Sequence, residues 1–409
     1  MGDKYITYKD DNLEFIYHNK IYDIDDINPL LEQYRENILN KIQAKFKKIV
    51  KKYIDEKYIK GKHDADRILE AMMARYIMTL LSKENNSDPV IPNSSSDYTS
   101  LKEDLRVKLR KDKSIDKDKR EHIINKIIKK LKLDELLNDG VNDIRAYYRL
   151  SKEYAKNKNK KVIKSRKNQY VSLNYDGDIV DVYDKLYHKM VNRYKGSSDY
   201  DLDMLAWCLI KRYIMLKSYT LQLAVHPNTM KELKKCYNTR FELFGSVLNT
   251  YHTKYCSLFY DIEKYFGSYG SFFSFKPIKG SYSMNPPFDD MLIKHASERM
   301  IEALNKSKKQ ISIIIWIPVW DDKGKEYLAK HCVGYKKRPS GIFKGYPGLD
   351  VIENSKMLQY KKIVCLKDMS YFDYMWYRKR TAAHTYVLVI QNKGTFNKEC
   401  IDGLDLKKK

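Results

Sequence analysis

The sequence has few cysteines, no long apolar run and no spaced set of metal ligands. It contains six cysteines, none within four residues of another, so no zinc-binding pair is visible. The most apolar run, Ile311–Trp320, is too short to cross a bilayer. The first residues include no apolar signal core, and Ile6 stands where N-myristoylation requires Ser or Thr. We therefore expect a soluble, reduced, intracellular protein, nuclear or cytoplasmic, with no membrane segment and no bound metal.

Acidic side chains are scarce relative to basic ones. The chain has 78 Lys and Arg against 53 Asp and Glu, which gives a formal net charge of +25. Such an excess favours a polyanionic partner, nucleic acid before a membrane surface. The alternative is a general compositional bias, since 35 tyrosines accompany the lysines. With 409 residues, of which 43% are hydrophobic, the chain can form two domains with sizeable cores.

The first half has mainly helical periodicity. Residues 1–25 alternate aromatic and charged side chains, which predicts a small hairpin. Apolar residues then recur at helical spacing in several segments: Asn28–Ile59, Ala65–Ser82, Leu101–Asn138 and Ile179–Tyr194. The clearest change in composition is Lys195-Gly-Ser-Ser-Asp-Tyr. We therefore predict a basic, mainly helical domain at residues 1–199, supporting nucleic-acid binding, and a second domain at residues 200–409.

The second half alternates strand and helix patterns. Ser281–Met284 and Ile311–Pro318 read as buried strands, and a helical pattern lies between them. Another helix is predicted at Val247–Phe259, and late strands at Lys361–Leu366 and Thr385–Gln391. This alternation predicts an α/β fold with a Rossmann-like sheet.

The most basic segment is Asp143–Asn168, in which tyrosines are interleaved with lysines and arginines. Cations beside aromatic rings suit a phosphate backbone with unstacked bases. Arg145 and Arg149 are therefore candidate substrate-binding residues. The alternative is a solvated helix face whose tyrosines pack inward.

The tetrapeptide Asn285-Pro286-Pro287-Phe288 follows a predicted strand and precedes a predicted helix. In open α/β sheets, ligands bind at the carboxyl edge of the strands. The exocyclic amine of adenine is a poor nucleophile, because its lone pair is delocalised into the ring. The Asn285 side-chain oxygen and the Pro286 carbonyl could accept its two N–H groups, and Phe288 could stack on the extruded base. The tetrapeptide thus predicts methyl transfer from a sulfonium cofactor, catalysed mainly by positioning; the alternative is a Pro-Pro turn that ends a core strand.

A second motif, Glu242-Leu-Phe-Gly-Ser, combines a strand with a glycine turn. Glycine lets a backbone approach a ligand closely, and Glu242 could accept hydrogen bonds from ribose hydroxyls. The motif is weak alone, because it lacks the full glycine fingerprint. Its position ahead of the tetrapeptide fits a cofactor strand followed by a target-amine strand.

These motifs belong to an ordered series of matches over about residues 237–320. The series comprises Phe241-Glu-Leu-Phe-Gly-Ser-Val-Leu-Asn-Thr-Tyr, Asp261-Ile-Glu-Lys-Tyr-Phe-Gly, Gly280-Ser-Tyr-Ser-Met-Asn-Pro-Pro-Phe and Ile315-Trp-Ile-Pro-Val-Trp. This region resembles the phosphorylated-CTD-interacting-factor family, the cap-specific adenosine N6-methyltransferases. Animal members of that family carry a WW module that binds the phosphorylated polymerase tail, and no such module is evident in this sequence.

The resemblance implies an S-adenosylmethionine-dependent enzyme that methylates the adenosine next to the 7-methylguanosine cap of mRNA. It implies that residues 200–409 form the Rossmann-like methyltransferase domain and that residues 1–199 support RNA or cap binding. It implies a catalytic role for Asn285, Pro286, Pro287 and Phe288, which hold the target amine and border the sulfonium. The cofactor-binding residues implied by it are Glu242, Phe244, Gly245, Ser246, Asn249, Asp261 and Asn285. The substrate-binding residues implied by it are Asp290, Trp320 and Asp321. Three of these residues also have a purely structural interpretation. In it, Glu242 is a strand-edge charge, Asp290 is a helix cap and Trp320 is a core aromatic.

Two other functions remain open at this point. Asn-Pro-Pro-Phe also occurs in adenine-N6 methyltransferases that act on DNA or on internal RNA positions. A non-catalytic RNA-binding or scaffold protein on a methyltransferase fold is the second alternative. Comparing RNAs with and without a cap separates the first alternative, and measuring cofactor binding separates the second.

Overall fold

The computed structural model describes residues 4–59, 64–82, 86–95, 97–197, 199–217, 222–335, 346–404 and 406. Within these residues the strands are, in chain order, β1 (Lys4–Lys9), β2 (Glu14–Asn19), β3 (Ile163–Lys167), β4 (Tyr170–Tyr175), β5 (Asp178–Tyr183), β6 (Leu223–Val225), β7 (Thr239–Glu242), β8 (Lys254–Tyr255), β9 (Lys276–Met284), β10 (Ile311–Pro318), β11 (Leu358–Val364), β12 (Tyr371–Asp373), β13 (Arg378–Arg380) and β14 (Thr385–Gln391).

The helices of the same residues are α1 (Pro29–Tyr53), α2 (Glu56–Ile59), α3 (Ala65–Leu81), α4 (Thr99–Leu109), α5 (Lys117–Leu131), α6 (Leu133–Leu150), α7 (Lys152–Asn157), α8 (Asp184–Arg193), α9 (Leu202–Met215), α10 (Pro227–Cys236), α11 (Tyr260–Glu263), α12 (Asp290–Lys306), α13 (Asp322–His331), α14 (Pro347–Glu353) and α15 (Lys398–Asp402). Among the described helices, none combines the length and the apolar character that a membrane crossing requires.

The chain forms two compact units that interleave in sequence. The first, here called the sheet unit, comprises Met1–Lys20, Tyr183–Lys195 and Thr220–Lys409. The second, here called the helical unit, comprises Ile21–Val182 and Gly196–Tyr219. These units differ from the predicted division at residues 199 and 200, and the functional roles assigned to the two predicted domains stay predictions.

The sheet unit is built on a mixed sheet. Its strands β8, β7, β9 and β10 are mutually parallel neighbours, whereas β14 pairs antiparallel with both β10 and β11. The predicted N-terminal hairpin is confirmed as β1 and β2, and β2 extends the same sheet by pairing antiparallel with β9. Gly280 lies in β9 with a φ of +123°, where a β-carbon would stand 2.6 Å from Leu13 Cδ2. A glycine there lets the hairpin approach the sheet.

Both faces of this sheet are covered, which explains why β10 is buried along its whole length. Side chains alternate between the faces. Ile313 and Ile315 pack in one apolar cluster with Ile293 and Met300 of α12, and Trp316 packs in a second cluster on the other face. That second cluster includes buried residues of α10 and α15: Met230, Leu233 and Ile401. The predicted α/β class is therefore confirmed, with a sheet that is mixed rather than wholly parallel.

The helical unit contains α1 to α7, α9 and the small antiparallel sheet of β3, β4 and β5. Helix α1 starts at Pro29 because Asn28 caps it, the Asn28 side chain accepting a hydrogen bond from the Leu30 amide at 3.0 Å. The predicted helix at Ile179–Tyr194 is wrong in its first part, since residues up to Tyr183 form β5. Val180 and Val182 are buried between exposed neighbours, and this period-two burial is that of a strand.

The prediction of a fully reduced chain is contradicted. Cys236 is joined to Cys400, and Cys332 to Cys365, as disulfides, while Cys208 and Cys256 are free and buried. The partners are 164 and 33 residues apart in sequence, so the spacing of the cysteines did not indicate either pair. The fold brings the paired α-carbons to 6.0 and 5.7 Å, inside the usual range for a disulfide.

Candidate active site

The predicted tetrapeptide occupies the turn between β9, which ends at Met284, and α12, which begins at Asp290. Asp289 caps the helix, because its side chain accepts a hydrogen bond from the Leu292 amide at 2.9 Å. The alternative that Asp290 caps the helix is therefore wrong, because the cap is the preceding residue, Asp289. The strand-to-helix turn is confirmed, and it lies at the carboxyl edge of the parallel strands β7, β9 and β10.

Asn285 follows the end of β9 and is half-buried. Its Nδ2 donates a hydrogen bond to the Leu223 carbonyl at 3.3 Å, which fixes the orientation of the amide. Its Oδ1 is buried and has no hydrogen-bond partner among the described residues. An unsatisfied buried acceptor costs roughly 1–3 kcal/mol. The turn therefore carries an acceptor that a ligand N–H group would satisfy.

Phe288 lies in a group of aromatic side chains, the edge cluster, formed by Phe288, Trp320, Tyr346 and Tyr371. The Phe288 ring meets the Trp320 ring edge to face, with centroids 6.4 Å apart, and meets the Tyr371 ring in the same way at 6.3 Å. Tyr346 lies 5.5 Å from Trp320 between ring centroids. Phe288 is half-buried, so it both packs on this cluster and keeps exposed surface.

Asp321 already uses both carboxylate oxygens within the fold. One oxygen accepts the Tyr386 hydroxyl at 2.8 Å, and the other accepts the Gly324 amide at 2.9 Å and thereby caps α13. Tyr346 has a buried hydroxyl without a hydrogen-bond partner in the described part of the chain. Burial, reinforced by the carboxylates of Asp290 and Asp321, raises the pKa of Tyr346 well above its ordinary value. The phenol therefore stays protonated and offers a hydrogen-bond donor at this edge.

Glu242 is the last residue of β7 and is paired in register with Ser283, two positions before Asn285. Its Oε1 accepts the His252 amide hydrogen at 2.7 Å, so this carboxylate already holds the following loop in place. Burial raises the pKa of Glu242 to about 7, against the opposing effects of that hydrogen bond and of Arg193 and Lys189. Glu242 is therefore a buried acid rather than a charge at the strand edge.

The predicted glycine turn exists, but several of its residues stabilise the turn itself. The Asn249 side chain accepts the Ser246 amide at 2.8 Å, and the Ser246 carbonyl accepts the Thr250 amide at 2.9 Å. A β-carbon on Gly245 would stand 2.2 Å from Thr250 Cγ2, so this glycine permits a close approach inside the turn. Phe244 packs on Phe272 with ring centroids 4.4 Å apart.

The helix predicted at Val247–Phe259 is wrong. These residues form a turn and then the short strand β8, and α11 begins only at Tyr260. The side chains of Ser246, Asn249 and Thr250 bond to nearby backbone groups, which competes with helix formation. Asp261 lies on α11 and is buried, within the sheet unit.

Arg145 and Arg149 lie on α6 of the helical unit. Arg145 donates to Asn142 at 3.1 Å and to Asp23 at 3.2 Å, and Arg149 is exposed. The neighbouring Tyr147 stacks on Tyr34, with centroids 4.3 Å apart. This stacking occupies one face of a ring that the sequence suggested as a platform for bases.

Sequence reasoning missed three groups of the edge: Tyr346, Tyr371 and the Leu223 carbonyl. Tyr346 lies outside the segments for which the sequence predicted a helix or a strand, and its neighbour Pro347 opens α14. Tyr371 lies in the three-residue strand β12, which is too short for a periodic signal. The Leu223 carbonyl belongs to β6, and only the fold brings it to Asn285.

These features define an α/β protein with a candidate ligand site at the carboxyl edge of parallel strands. Residues 183–340 match the family model described as "Phosphorylated CTD interacting factor 1 WW domain". The match includes β7 to β10, so it covers the central strands of the sheet. The predicted resemblance to this family is thus confirmed for this segment, which contains the tetrapeptide and every predicted cofactor residue.

Two curated relatives carry the name mRNA (2'-O-methyladenosine-N(6)-)-methyltransferase, one from Mus musculus and one from Homo sapiens. Each is 32% identical to the chain over 164 residues, which is 37% of this chain and 23% of the relative. The chain therefore spans about a quarter of the length of the curated relatives it matches.

Proposed function

We propose that the protein is an S-adenosylmethionine-dependent methyltransferase that modifies the N6 amine of the adenosine next to the 7-methylguanosine cap of mRNA. The observation that carries the proposal is the buried, unpartnered Oδ1 of Asn285 in the Asn-Pro-Pro-Phe turn. The names of the two curated relatives support the same reaction.

Asn285 and Pro286 recognise the adenine amine in this proposal. One amine N–H donates to Asn285 Oδ1 and the other to the Pro286 carbonyl. The hydrogen bond from Nδ2 to Leu223 holds the acceptor oxygen in a fixed direction. Two acceptors on the amine oppose delocalisation of its lone pair into the ring, and a preorganised pair requires little rearrangement during the reaction.

Phe288 supports the plane of the target base. Trp320 and Tyr371 hold its ring edge to face, so the ring cannot easily rotate away from a stacked base. Stacking of a base on an aromatic side chain contributes about 1–3 kcal/mol. Trp320 and Asp290 border the nucleotide in this arrangement, and Asp321 acts through the α13 cap and Tyr386.

In this proposal the cofactor lies along the edges of β7 and β9, and the sheet is a Rossmann-like methyltransferase sheet. Its sulfonium supplies an electrophilic methyl group when it is bound. The donor set fits an amino-acid nucleoside: Glu242 is a buried acid next to the tetrapeptide strand, and Asp261 is a second buried acid. Phe244, Gly245, Ser246 and Asn249 shape the turn between them.

The test is methyl transfer from labelled S-adenosylmethionine to matched substrates. One RNA carries the 7-methylguanosine cap before adenosine, with or without a 2′-O-methyl group, and the others are its uncapped form and a DNA duplex containing adenine. We expect label on the capped RNA alone. Equal label on uncapped RNA or on DNA would contradict cap specificity, and absence of cofactor binding by calorimetry would favour a scaffold.

A further inference from the structure

Helix α8 of the sheet unit presents a row of basic side chains to a cavity. Lys185, His188, Lys189, Asn192 and Arg193 recur at intervals of three and four residues, which places them on one face of the helix. Together with Thr253 they line a cavity of about 450 Å³. We call it the α8 cavity.

Lys189 is the central residue of the α8 cavity. Its Nζ is buried and has no hydrogen-bond partner among the residues that the structure describes. It lies 3.8 Å from the centroid of the Tyr374 ring, whose face attracts a cation. Burial lowers the pKa of Lys189 well below its ordinary value. Without an anion beside it the amine therefore favours its neutral form, and a bound anion would favour the charged ammonium.

Two further cations of the α8 cavity are held in fixed positions. Lys185 Nζ lies 5.0 Å from the centroid of the Tyr377 ring. The Arg193 guanidinium donates to Thr250 Oγ1 at 2.7 Å and to the Thr250 and Tyr251 carbonyls at 3.1 and 2.8 Å. These partners of Arg193 are neutral, so its positive charge is not cancelled by them.

Three acidic groups lie near the α8 cavity, and each already has a hydrogen-bond or ion-pair partner. Glu242 and Glu263 act on Lys189 electrostatically, but each carboxylate already accepts a backbone amide, from His252 and Val247 respectively, at 2.7 Å. Asp184 lies 3.4 Å from His188 and serves that side chain. Two lysines and an arginine around one cavity suit an anionic group such as a phosphate.

The α8 cavity lies near the edge cluster. Tyr371 of β12 packs against Phe288, and Tyr374, three residues later, packs against Lys189. Three residues of chain span at most about 10 Å. A base that rests on Phe288 and a phosphate in the α8 cavity would therefore lie at the two ends of this short segment.

We propose that the α8 cavity binds a phosphate group of the RNA substrate, adjoining the nucleotide whose base is methylated. The proposal rests on the proposed function and adds a phosphate subsite to it. Lys189 and Lys185 contact the phosphate oxygens, and Arg193 supplies a fixed positive charge beside them. A carboxylate of the cofactor is the competing source of the same anionic chemistry, and the experiment separates the two.

The test uses the full chain with the substitutions Lys185→Gln and Lys189→Met combined. Methionine retains the length of Lys189 and its packing on Tyr374 without the charge. The matched control combines Lys306→Gln and Lys308→Gln, two exposed lysines of the same unit. For each protein, affinity for a capped RNA is measured by fluorescence anisotropy over a range of salt concentrations, and affinity for S-adenosylmethionine by calorimetry.

We expect the α8 variant to reduce the log–log salt slope of RNA binding by about 0.7 to 1.4 units, since each phosphate contact that is lost contributes about 0.7 for a single strand. Its cofactor affinity and the slope of the control should equal those of the wild type. An unchanged slope, or weaker cofactor binding with normal RNA binding, would overturn the proposal. If the double variant unfolds, Lys189→Arg and Lys185→Gln are measured separately: arginine should retain the slope and glutamine should lower it, and no effect of Lys185→Gln would overturn the proposal.

RNA binding is measured without methyl transfer, so this test is independent of the proposed reaction. A lowered slope in a protein that methylates no RNA would retain the phosphate subsite and contradict the proposed function. An unchanged slope in a protein that methylates capped RNA would contradict the phosphate subsite and retain the proposed function.

Discussion

Replacing Asn285 by alanine separates its proposed role in catalysis from a role in stability. The substitution removes the Nδ2 hydrogen bond to Leu223, which contributes about 0.5–1.5 kcal/mol. It also removes the buried Oδ1, which has no hydrogen-bond partner among the described residues. Desolvation of such an oxygen costs roughly 1–3 kcal/mol. These effects oppose each other, so the free energy of unfolding should fall by no more than about 1 kcal/mol.

Turnover by Asn285→Ala should fall at least a hundredfold, because one of two acceptors for the target amine is lost; this corresponds to about 2.7 kcal/mol or more of transition-state stabilisation. Cofactor affinity should change less. Asn285→Asp keeps acceptor oxygens and should retain more activity than alanine. The control is Asn354→Ala, at the exposed C-cap of α14.

The assay for the Asn285 variants is the initial rate of methyl transfer to capped RNA, paired with urea unfolding of each protein. A hundredfold loss of rate with near-normal stability supports the role as an amine acceptor. Near-normal turnover by Asn285→Ala would refute it. A loss of stability of several kcal/mol would show instead that the turn is a structural element.

Three further changes test other parts of the account. Phe288→Ala should weaken RNA use by about 1–3 kcal/mol through lost stacking, and Phe288→Leu should restore it only in part; wild-type kinetics for leucine would make the residue a packing element. His252 is buried, and burial together with nearby cations lowers its pKa to about 3. Below about pH 6.5 the unfolded state therefore binds more protons than the folded state, so the protein loses stability as the pH falls. Between pH 7 and 5 the free energy of unfolding of the wild type, relative to that of His252→Gln, should drop by about 2 kcal/mol in urea unfolding. Glu242 titrates in both proteins, so its opposing effect on stability cancels in this comparison. A difference that does not depend on pH would contradict the prediction. Replacing four exposed lysines together by serine should flatten the salt slope of RNA binding by about two to four units if they contact phosphate, and an unchanged slope would indicate a solvated face. The four residues are Lys158, Lys160, Lys161 and Lys164.

The quadruple lysine prediction belongs to the helical unit. Lys160 pairs with Asp176 at 3.1 Å and Lys164 with Asp203 at 3.0 Å, so two of the four cations already have acidic neighbours. The nearby Tyr154 is buried and donates its hydroxyl to Asp26. We therefore expect the change in slope at the lower end of its range, and a larger role for the α8 cavity.

The parts of the fold that the sequence predicted are those with a strong local signal. Strand β10 is an apolar run of strand length, and α12 has apolar residues at helical spacing behind an aspartate cap. The turn between β9 and α12 follows from those neighbours. Asn285 and Phe288 could therefore be placed at a sheet edge from the amino-acid pattern alone.

The parts that the sequence did not predict depend on contacts between distant segments. Residues 4–19 join the sheet through pairing of β2 with β9, more than 250 positions along the chain. In the loop after β7, the side chains of Ser246 and Asn249 accept hydrogen bonds from nearby backbone amides, which stabilises a turn in place of the predicted helix. The unpaired oxygen of Asn285 and the buried amine of Lys189, each without a partner among the described residues, are likewise properties of the folded chain.

The most direct measurement of the central claim is mass spectrometry of nucleosides released from capped RNA after incubation with the protein and S-adenosylmethionine. Two RNAs differ only in their first nucleotide, adenosine or guanosine. We predict N6-methyladenosine, in its 2′-O-methylated form where the substrate carries that group, from the A-start RNA and no methylated product from the G-start RNA. Methylation at an internal adenosine of both RNAs, or of neither RNA by a protein that binds the cofactor, would contradict the account.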